Sequence, residues 1–481
     1  MKKMIKIVVN NFKCKIEGHP LVLKKVYDGL AIKHPNAFFL RQYMPKGWDM
    51  KIHFMNEYGI FKIGMLPRVL SEVMKSGVEA QDLTIIDDRP SSYDFKVPTH
   101  LADMELRPMQ REAIDLLLNN KLAGLNIPVG ILDLATNAGK TLIIYGIHAA
   151  FKHNSIKPVN TLILLSQSDT FEQMVDELKD VFPGEYGILK GKKKTTGRIT
   201  VAMAQTLSQN IKEFREYLNA VDVLIVDEVH LSTSKQYKTI LNRLINARVK
   251  VGLSGTAKKH KTKDKHWEIE SNFGAVLKNV SKKELIKKGY STPIRIKILQ
   301  GSVLKYPKSF TYKEAYDTAI VENDDRNNKI LKRIRYHTRF KRVPILLIAR
   351  FHQHVETLYD LISKEPNLVV EYVHHRRKDR KEVIRRFNNG EIDVLVGSMI
   401  LKMGLNMPMI KVLINVAATD GQITVSQIMG RLERKHKTKK VGYMEDFYDF
   451  GKYLERHSKH RINYYKQEKL PITLKFNKKK R

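Results

Sequence analysis

A chain of 481 residues that is 42% hydrophobic is long enough for two or three domains with buried cores, which excludes disorder as the default. Its 86 Lys and Arg against 50 Asp and Glu give a formal charge of +36, spread along the whole sequence, so the partner to expect is a polyanion. The one cysteine, Cys14, excludes an internal disulfide and any cysteine-rich zinc or iron–sulfur centre.

In chain order, Met1-Lys2-Lys3 and IKIVV read as a first strand. Lys6 and Asn10-Asn11 interrupt any secretory signal. No apolar run reaches the ~18 residues that a bilayer crossing needs, so a soluble, cytoplasmic protein is expected. Residues 1–98 alternate like strands in IKIVV, MKIHF and GIFKIG, with a helical pattern at LPRVLSEVMKSG closed by Gly77. They are expected to form a small basic α+β domain, its charge suited to nucleic acid, followed by a linker in DDRPSSYDFKVP. From 99 to 290 short β-branched runs (VGILDL, TLILLS, RITVAM, DVLIVD, KVGLSG) recur between helical stretches. A second series (PILLIA, LVVEYV, DVLVGS, KVLINVA) occupies 291–465. Apolar strands alternating with helices predict parallel sheets covered on both faces, hence two doubly wound α/β domains in tandem. Residues 466–481, ending KFNKKKR, read as a basic tail.

The chemistry gathers at strand ends. VGILDL runs into Ala135-Thr136-Asn137-Ala138-Gly139-Lys140-Thr141 and an apolar helix, the context of a phosphate-binding loop. There backbone N–H groups cradle phosphates, Lys140 neutralises β/γ charge and the Thr141 hydroxyl ligates Mg²⁺. Leu134 stands where the common pattern has Gly or Ala. After DVLIV come Asp227 and Glu228, carboxylates at the carboxyl edge of a sheet where ligands bind. Asp227 suits Mg²⁺ and Glu228 suits activation of the attacking water. A lone acidic pair is more often a solvated turn. Here it follows the loop and precedes Ser254-Gly255-Thr256 at another strand end. In the second series, Gln427, Arg431 and Arg434 fall at i, i+4 and i+7 of a predicted helix and share a face. Two arginines brought to a γ-phosphate from a separate domain would make domain closure part of catalysis. By itself that segment reads more readily as a surface helix with ordinary i,i+3 charges.

These four segments, in this order, resemble the motifs of superfamily 2 helicases of the DExH type over residues 103–465. The resemblance implies tandem RecA-like domains and an ATPase acting on nucleic acid. It further implies ATP contacts from Arg107, Gln110, Thr136, Asn137, Ala138, Gly139, Lys140, Thr141, Gly404 and Asn406, with Gln110 reading adenine. Coupling would fall to His230, Ser254 and Thr256. Nucleic-acid contacts would come from Ser166, Gln167, Gln205, Thr206, Arg350, His352 and Ser398, small polar and basic groups suited to phosphate and sugar. The chain departs from the family at Asn137, where Gly is frequent, at Ser398, where Thr is usual, and at Asn406, where Asp is usual.

FFLRQYMPKGWDMKIHFMNEYGIFKIGMLPRVLSEVMKSG and YMEDFYDFGKYLERHSKHRINYYKQE further resemble the phage recombination helicases of the UvsW type. That implies branched DNA as substrate (fork regression, four-way-junction migration, R-loop or D-loop unwinding), 3′-to-5′ polarity and a monomeric state. An RNA remodeler and the translocase subunit of a restriction complex are the alternatives. Tyr43 and Trp48 read either as a wedge against a base pair or, about twice as readily, as packing of a small core.

Overall fold

The computed structural model describes all residues except 1–2, 91–94, 136, 256–261, 340–342, 400–406, 421 and 476–481; side chains at 169, 422–424 and 426–427 are also outside the description. The chain divides into two compact units, Met1–Ser281 and Lys282–Arg481.

Unit 1 opens with a four-stranded sheet of β1 (Ile5–Val9), β2 (Lys13–Gly18), β3 (Ile60–Lys62) and β4 (Leu83–Asp87), ordered β3-β2-β1-β4. Helices α1 (Pro20–Gly29) and α2 (Leu66–Lys75) belong to the same segment, and Gly77 takes φ +74° just past α2. This sheet does not have a core to itself. Ile127, Val129 and Trp267, from far along the chain, belong to the same apolar cluster as Ile7, Val26 and Val69. Arg68 donates to both carboxylate oxygens of Glu270 at 2.9 and 2.7 Å. Gly64 is where a side chain cannot fit, since a Cβ there would lie 2.1 Å from the carbonyl oxygen of Glu270. The expected linker is likewise anchored: Phe95 is buried on Phe151, and its backbone exchanges two hydrogen bonds with the Asn119 side chain.

The main sheet of unit 1 contains β5 (Val129–Leu134), β6 (Thr161–Leu165), β7 (Tyr186–Lys190), β8 (Lys193–Thr195), β9 (Ile199–Met203), β10 (Val223–Asp227), β11 (Val249–Ser254) and β12 (Val276–Val280). Their order is β8-β7-β9-β6-β10-β11-β5-β12, parallel throughout except for the β7–β8 hairpin. Every residue of β5, β6 and β11 is buried, as expected of strands covered on both faces. Helices α3 (Pro108–Leu118), α4 (Lys140–His153), α5 (Ser168–Val181), α6 (Ala204–Gln209) and α7 (Lys263–Phe273) complete the part that concerns the site.

Unit 2 carries seven parallel strands: β13 (Ile294–Gln300), β14 (Ile345–Ile348), β15 (Val370–Val373), β16 (Val394–Gly397), β17 (Val412–Asn415), β18 (Gly442–Tyr448) and β19 (Ile472–Lys475), ordered β15-β16-β14-β17-β18-β13-β19. Its helices include α8 (Asp324–Thr338), α9 (His352–Ile362), α10 (Arg380–Asn388), α11 (Gln422–Leu432) and α12 (Lys452–Gln467). Two fully buried ion pairs tie it together. Arg326 meets Asp449, and Arg461 on α12 meets Asp446, which also accepts the Tyr465 hydroxyl at 2.7 Å. The segment expected as a tail from 466 starts in fact with the end of α12 and continues into the edge strand β19, paired in register with β13. The strand gains ladder pairing and Ile472 partial burial there, which a solvated tail would forgo. No helix among the described residues is long and apolar enough to cross a membrane.

Candidate nucleotide site and nucleic-acid edge

Three neighbouring strand ends in unit 1 form one row. Asp133 on β5 is in register with Ser254 on β11, and Leu253 is in register with Asp227 on β10. The loop after β5 leads into α4, whose first residue is Lys140 and second is Thr141. Asn137 and Gly139 both have positive φ, +71° and +78°, a sequence of turns that aims backbone N–H groups inward at the helix start. Ala138 between them is buried.

Gln110, on α3, stands behind this loop, fully buried. Its amide nitrogen donates to the carbonyls of Ala138 and Gly139 at 3.0 and 3.3 Å, while its oxygen accepts from the Arg107 backbone N–H at 2.9 Å. Arg107 donates from its guanidinium to the Asn137 carbonyl at 3.1 Å. The amide expected to read adenine is therefore committed to shaping the loop, because a fully buried amide must satisfy its donors and acceptor inside the protein. Gly139 has two reasons to be glycine: its φ, and the Gln110 nitrogen, which a Cβ would approach to 2.2 Å. Gly139→Ala should therefore weaken ATP binding about 5- to 30-fold, the equivalent of ~1–2 kcal/mol of left-handed strain. Titration with a fluorescent ATP analogue measures this; unchanged affinity would mean that the loop shape is immaterial.

Lys140 Nζ lies 4.0 Å from Glu228 Oε1. Burial alone would pull its pKa down, but the charges of Glu228, Asp227 and Asp133 outweigh it and hold the ammonium protonated. Burial raises Asp227 above the usual carboxylate range, Lys140 opposing and Glu228 adding to the rise. Glu228 ends below its ordinary value: burial pushes it up, and Lys140 together with the adjacent His230 more than offsets that. His230 Nδ1 is 3.2 Å from Glu228 Oε2. Glu228 sits at φ +56°, ψ +58°, a left-handed conformation unusual outside Gly and Asn, turned by its own N–H donating to Asp227 Oδ1 at 3.0 Å. Ser254 is buried at its strand end, and a Cβ placed on Gly255 would lie 3.9 Å from Lys140 Nζ. Asp133 was missed from the sequence because it is embedded in an apolar strand; it accepts from the Asn279 amide at 3.0 Å and faces the lysine electrostatically. Thr136, Thr256, Gly404 and Asn406 lie outside the described residues.

The nucleic-acid candidates of unit 1 occupy the other half of the same carboxyl edge. Ser166 and Gln167 follow β6, Gln205 and Thr206 open α6 after β9, and β6 pairs with β9. Ser166 and Gln205 are exposed. Thr206 accepts from the Gly191 N–H at 3.1 Å, fixing the β7–β8 turn against α6.

In unit 2, Arg350 and Ser398 follow neighbouring strands, Ile348 being in register with Gly397. Arg350 donates to the Tyr312 hydroxyl at 3.2 Å, with its guanidinium 4.6 Å from that ring. His352 opens α9 beside the rings of His374 and His375, at 6.2 and 5.8 Å. Ser398 is buried.

One expectation fails. Gln427 and Arg431 are on α11, but the helix ends at Leu432, so Arg434 is not on its face. The chain is drawn off the helical path by ties to residues 282–292. Glu433 is buried with its carboxylate 3.0 Å from Lys282, its carbonyl accepts from Thr292 N–H and Ser291 Oγ, and the Arg434 carbonyl accepts from Thr292 Oγ1. Arg431 is buried; Arg434 is partly exposed in the bend beyond.

Residues 103–259 match the family described as type III restriction enzyme, res subunit, and residues 327–436 match the helicase conserved C-terminal domain. With the two parallel sheets and the loop and carboxylate row above, these matches place the chain in the superfamily 2 helicases, ATP-dependent motors. It is similar to the ATP-dependent DNA helicase UvsW of Enterobacteria phage T4, 22% identical over 469 residues, 89% of this chain and 90% of that protein. The DNA 3′-5′ helicase XPB of Kineococcus radiotolerans is 25% identical over 386 residues, 77% of this chain and 63% of that protein. Among solved structures, a fragment of a putative HsdR subunit of a type I restriction enzyme from Vibrio vulnificus shares the fold, with a TM-score of 0.57 at 18% identity over 79% of this chain and 69% of that one.

Proposed function

We propose that this protein is an ATP-driven DNA helicase or translocase that remodels branched DNA, regressing forks, migrating four-way junctions and unwinding R-loops or D-loops, with 3′-to-5′ polarity. The observation that carries the reading is the extent of similarity to the T4 helicase. At 89% of the chain it extends into the sequence before residue 103, outside the two motor matches. The names of relatives that act on DNA, one of them 3′ to 5′, support substrate and direction. The charge of +36 suits a polyanion.

The site fits a magnesium nucleotide. Its donors are hard oxygens, and Asp227, Glu228 and Asp133 surround a single lysine. The raised pKa of buried Asp227 marks a carboxylate short of positive charge, which a divalent cation supplies. Thr141 and Asp227 would hold Mg²⁺, whose chemistry is to neutralise the β- and γ-phosphate oxygens. The loop N–H groups and Lys140 bind the triphosphate, Glu228 takes the proton of the attacking water, and His230 orients Glu228. Gln427, Arg431 and Arg434 are assigned to the γ-phosphate. Ser166, Gln167, Gln205, Thr206, Arg350, His352 and Ser398 are assigned to the DNA backbone.

Steady-state ATP turnover measured with a synthetic fork, a four-way junction, linear duplex and single-stranded RNA tests the substrate. Forks and junctions should stimulate several-fold more than linear duplex. Equal stimulation removes the branched-DNA reading and leaves the motor; greater stimulation by RNA turns the reading toward an RNA remodeler.

A further inference from the structure

Strands Ala31–Lys33 and Lys51–His53 pair antiparallel, and the excursion between them, residues 34–50, is closed at its base by the His34 N–H donating to the Met50 carbonyl at 2.8 Å. A loop held on a paired hairpin is placed by rigid structure, and its side chains are free for other work. Large apolar groups on this loop point outward. Phe38 is 86% exposed, Phe39 71% and Tyr43 77%, with Met44 also exposed and Trp48 half-buried beside His34. Single exposed apolar residues are ordinary, but four within seven positions are a patch, and a patch of this kind marks a binding surface.

The packing reading is thus set aside for Tyr43, which, like Phe38 and Phe39, covers no core, while Trp48 is half-buried. The charges around them identify the ligand. Lys33, Arg41 and Lys46 are exposed, and among the described residues none is ion-paired with a carboxylate; Lys51, also exposed, acts on Asp49. The loop's one acid, Asp49, is engaged by His53 at 2.6 Å and by the Lys51 N–H at 3.1 Å. Interfaces between proteins are depleted in lysine where aromatics are densest. Flat rings interleaved with free cations are instead the composition of a single-strand site, where bases stack on the rings and phosphates lie against the cations without regard to sequence.

We infer that the loop of residues 34–50 is a stacking platform for unpaired DNA, with Phe38, Phe39 and Tyr43 receiving bases and Arg41 and Lys46 receiving the adjoining phosphates. The inference rests on the reading of this chain as a motor on branched DNA, because junctions and regressing forks are where a duplex motor meets unpaired strands.

The test uses the full chain and two variant sets, Phe38→Ala/Phe39→Ala/Tyr43→Ala and Phe38→Leu/Phe39→Leu/Tyr43→Leu. Affinity is read by fluorescence anisotropy with a labelled oligothymidylate and with a blunt duplex of equal length. The alanine set should lose about tenfold or more for the single strand per stacked base removed, with a much smaller change for duplex. The leucine set should lose nearly as much, because a branched aliphatic group offers no flat face. Since the residues are exposed, the thermal unfolding midpoint should not move, which separates a lost contact from a lost fold. Leucine variants that bind the strand like wild type, or alanine variants that bind it unchanged, overturn the platform. A concentration-dependent change in sedimentation with strand affinity intact would also overturn it, assigning the patch to a second copy of the chain. Failure of the two readings stays separate: wild-type protein without a fork preference defeats the branched-DNA reading, whereas intact strand binding by the alanine set defeats the platform.

Discussion

Glu228→Gln should lower nucleic-acid-stimulated ATP turnover by ~10²–10⁴-fold while leaving ATP bound. The substitution keeps the shape of the side chain and removes its ability to take a proton. Burial raises the Glu228 pKa, and Lys140 at 4.0 Å and His230 at 3.2 Å more than offset that, holding the carboxylate below its ordinary value. Its backbone is turned into the left-handed region, which re-aims it from the line of β10. Loss of negative charge beside a triphosphate also removes a repulsion, so affinity for ATP should hold or improve. Turnover close to wild type would remove Glu228 from the chemistry.

Arg434→Ala should preserve ATP binding and cost ~10³–10⁵-fold in turnover, roughly 4–7 kcal/mol of barrier, if this arginine meets the charge that develops on the γ-phosphate. Binding survives because Lys140 and the loop of unit 1 are untouched. The structure changes the reason for expecting a fixed position. Helical spacing does not supply it, since α11 stops at Leu432. The bend is held instead by the buried Glu433–Lys282 pair and by the hydrogen bonds of Ser291 and Thr292 to the Glu433 and Arg434 carbonyls. Single-turnover hydrolysis beside equilibrium binding separates the two effects. Hydrolysis near the wild-type rate would show that the γ-phosphate does not depend on this residue.

The parts of the site that were legible in the sequence are those built locally. A buried strand, a tight loop and a helix start are contiguous in VGILDL through Lys140, and Asp227 and Ser254 each terminate a run of apolar residues. Local pattern failed where distant partners decide. Asp133 looks like an interruption of an apolar strand until Asn279 and Lys140 are brought to it. β18, GYMEDFY, reads as polar, yet Glu445 and Asp446 are buried because Arg333 and His337 serve one and Arg461 and Tyr465 the other. A buried carboxylate is affordable only when its partners arrive from elsewhere in the chain. The same limit hid the core shared by the N-terminal sheet and Trp267, and the way Gln110 turns inward to the loop carbonyls.

The most direct test of the account is to follow a synthetic four-way junction with separately labelled arms as it is converted to two duplexes. Wild-type protein should drive the conversion with ATP and Mg²⁺ and not with a non-hydrolysable analogue, and Lys140→Ala should leave the junction intact. A junction that persists while ATP is hydrolysed, or one converted equally well by Lys140→Ala, would contradict it.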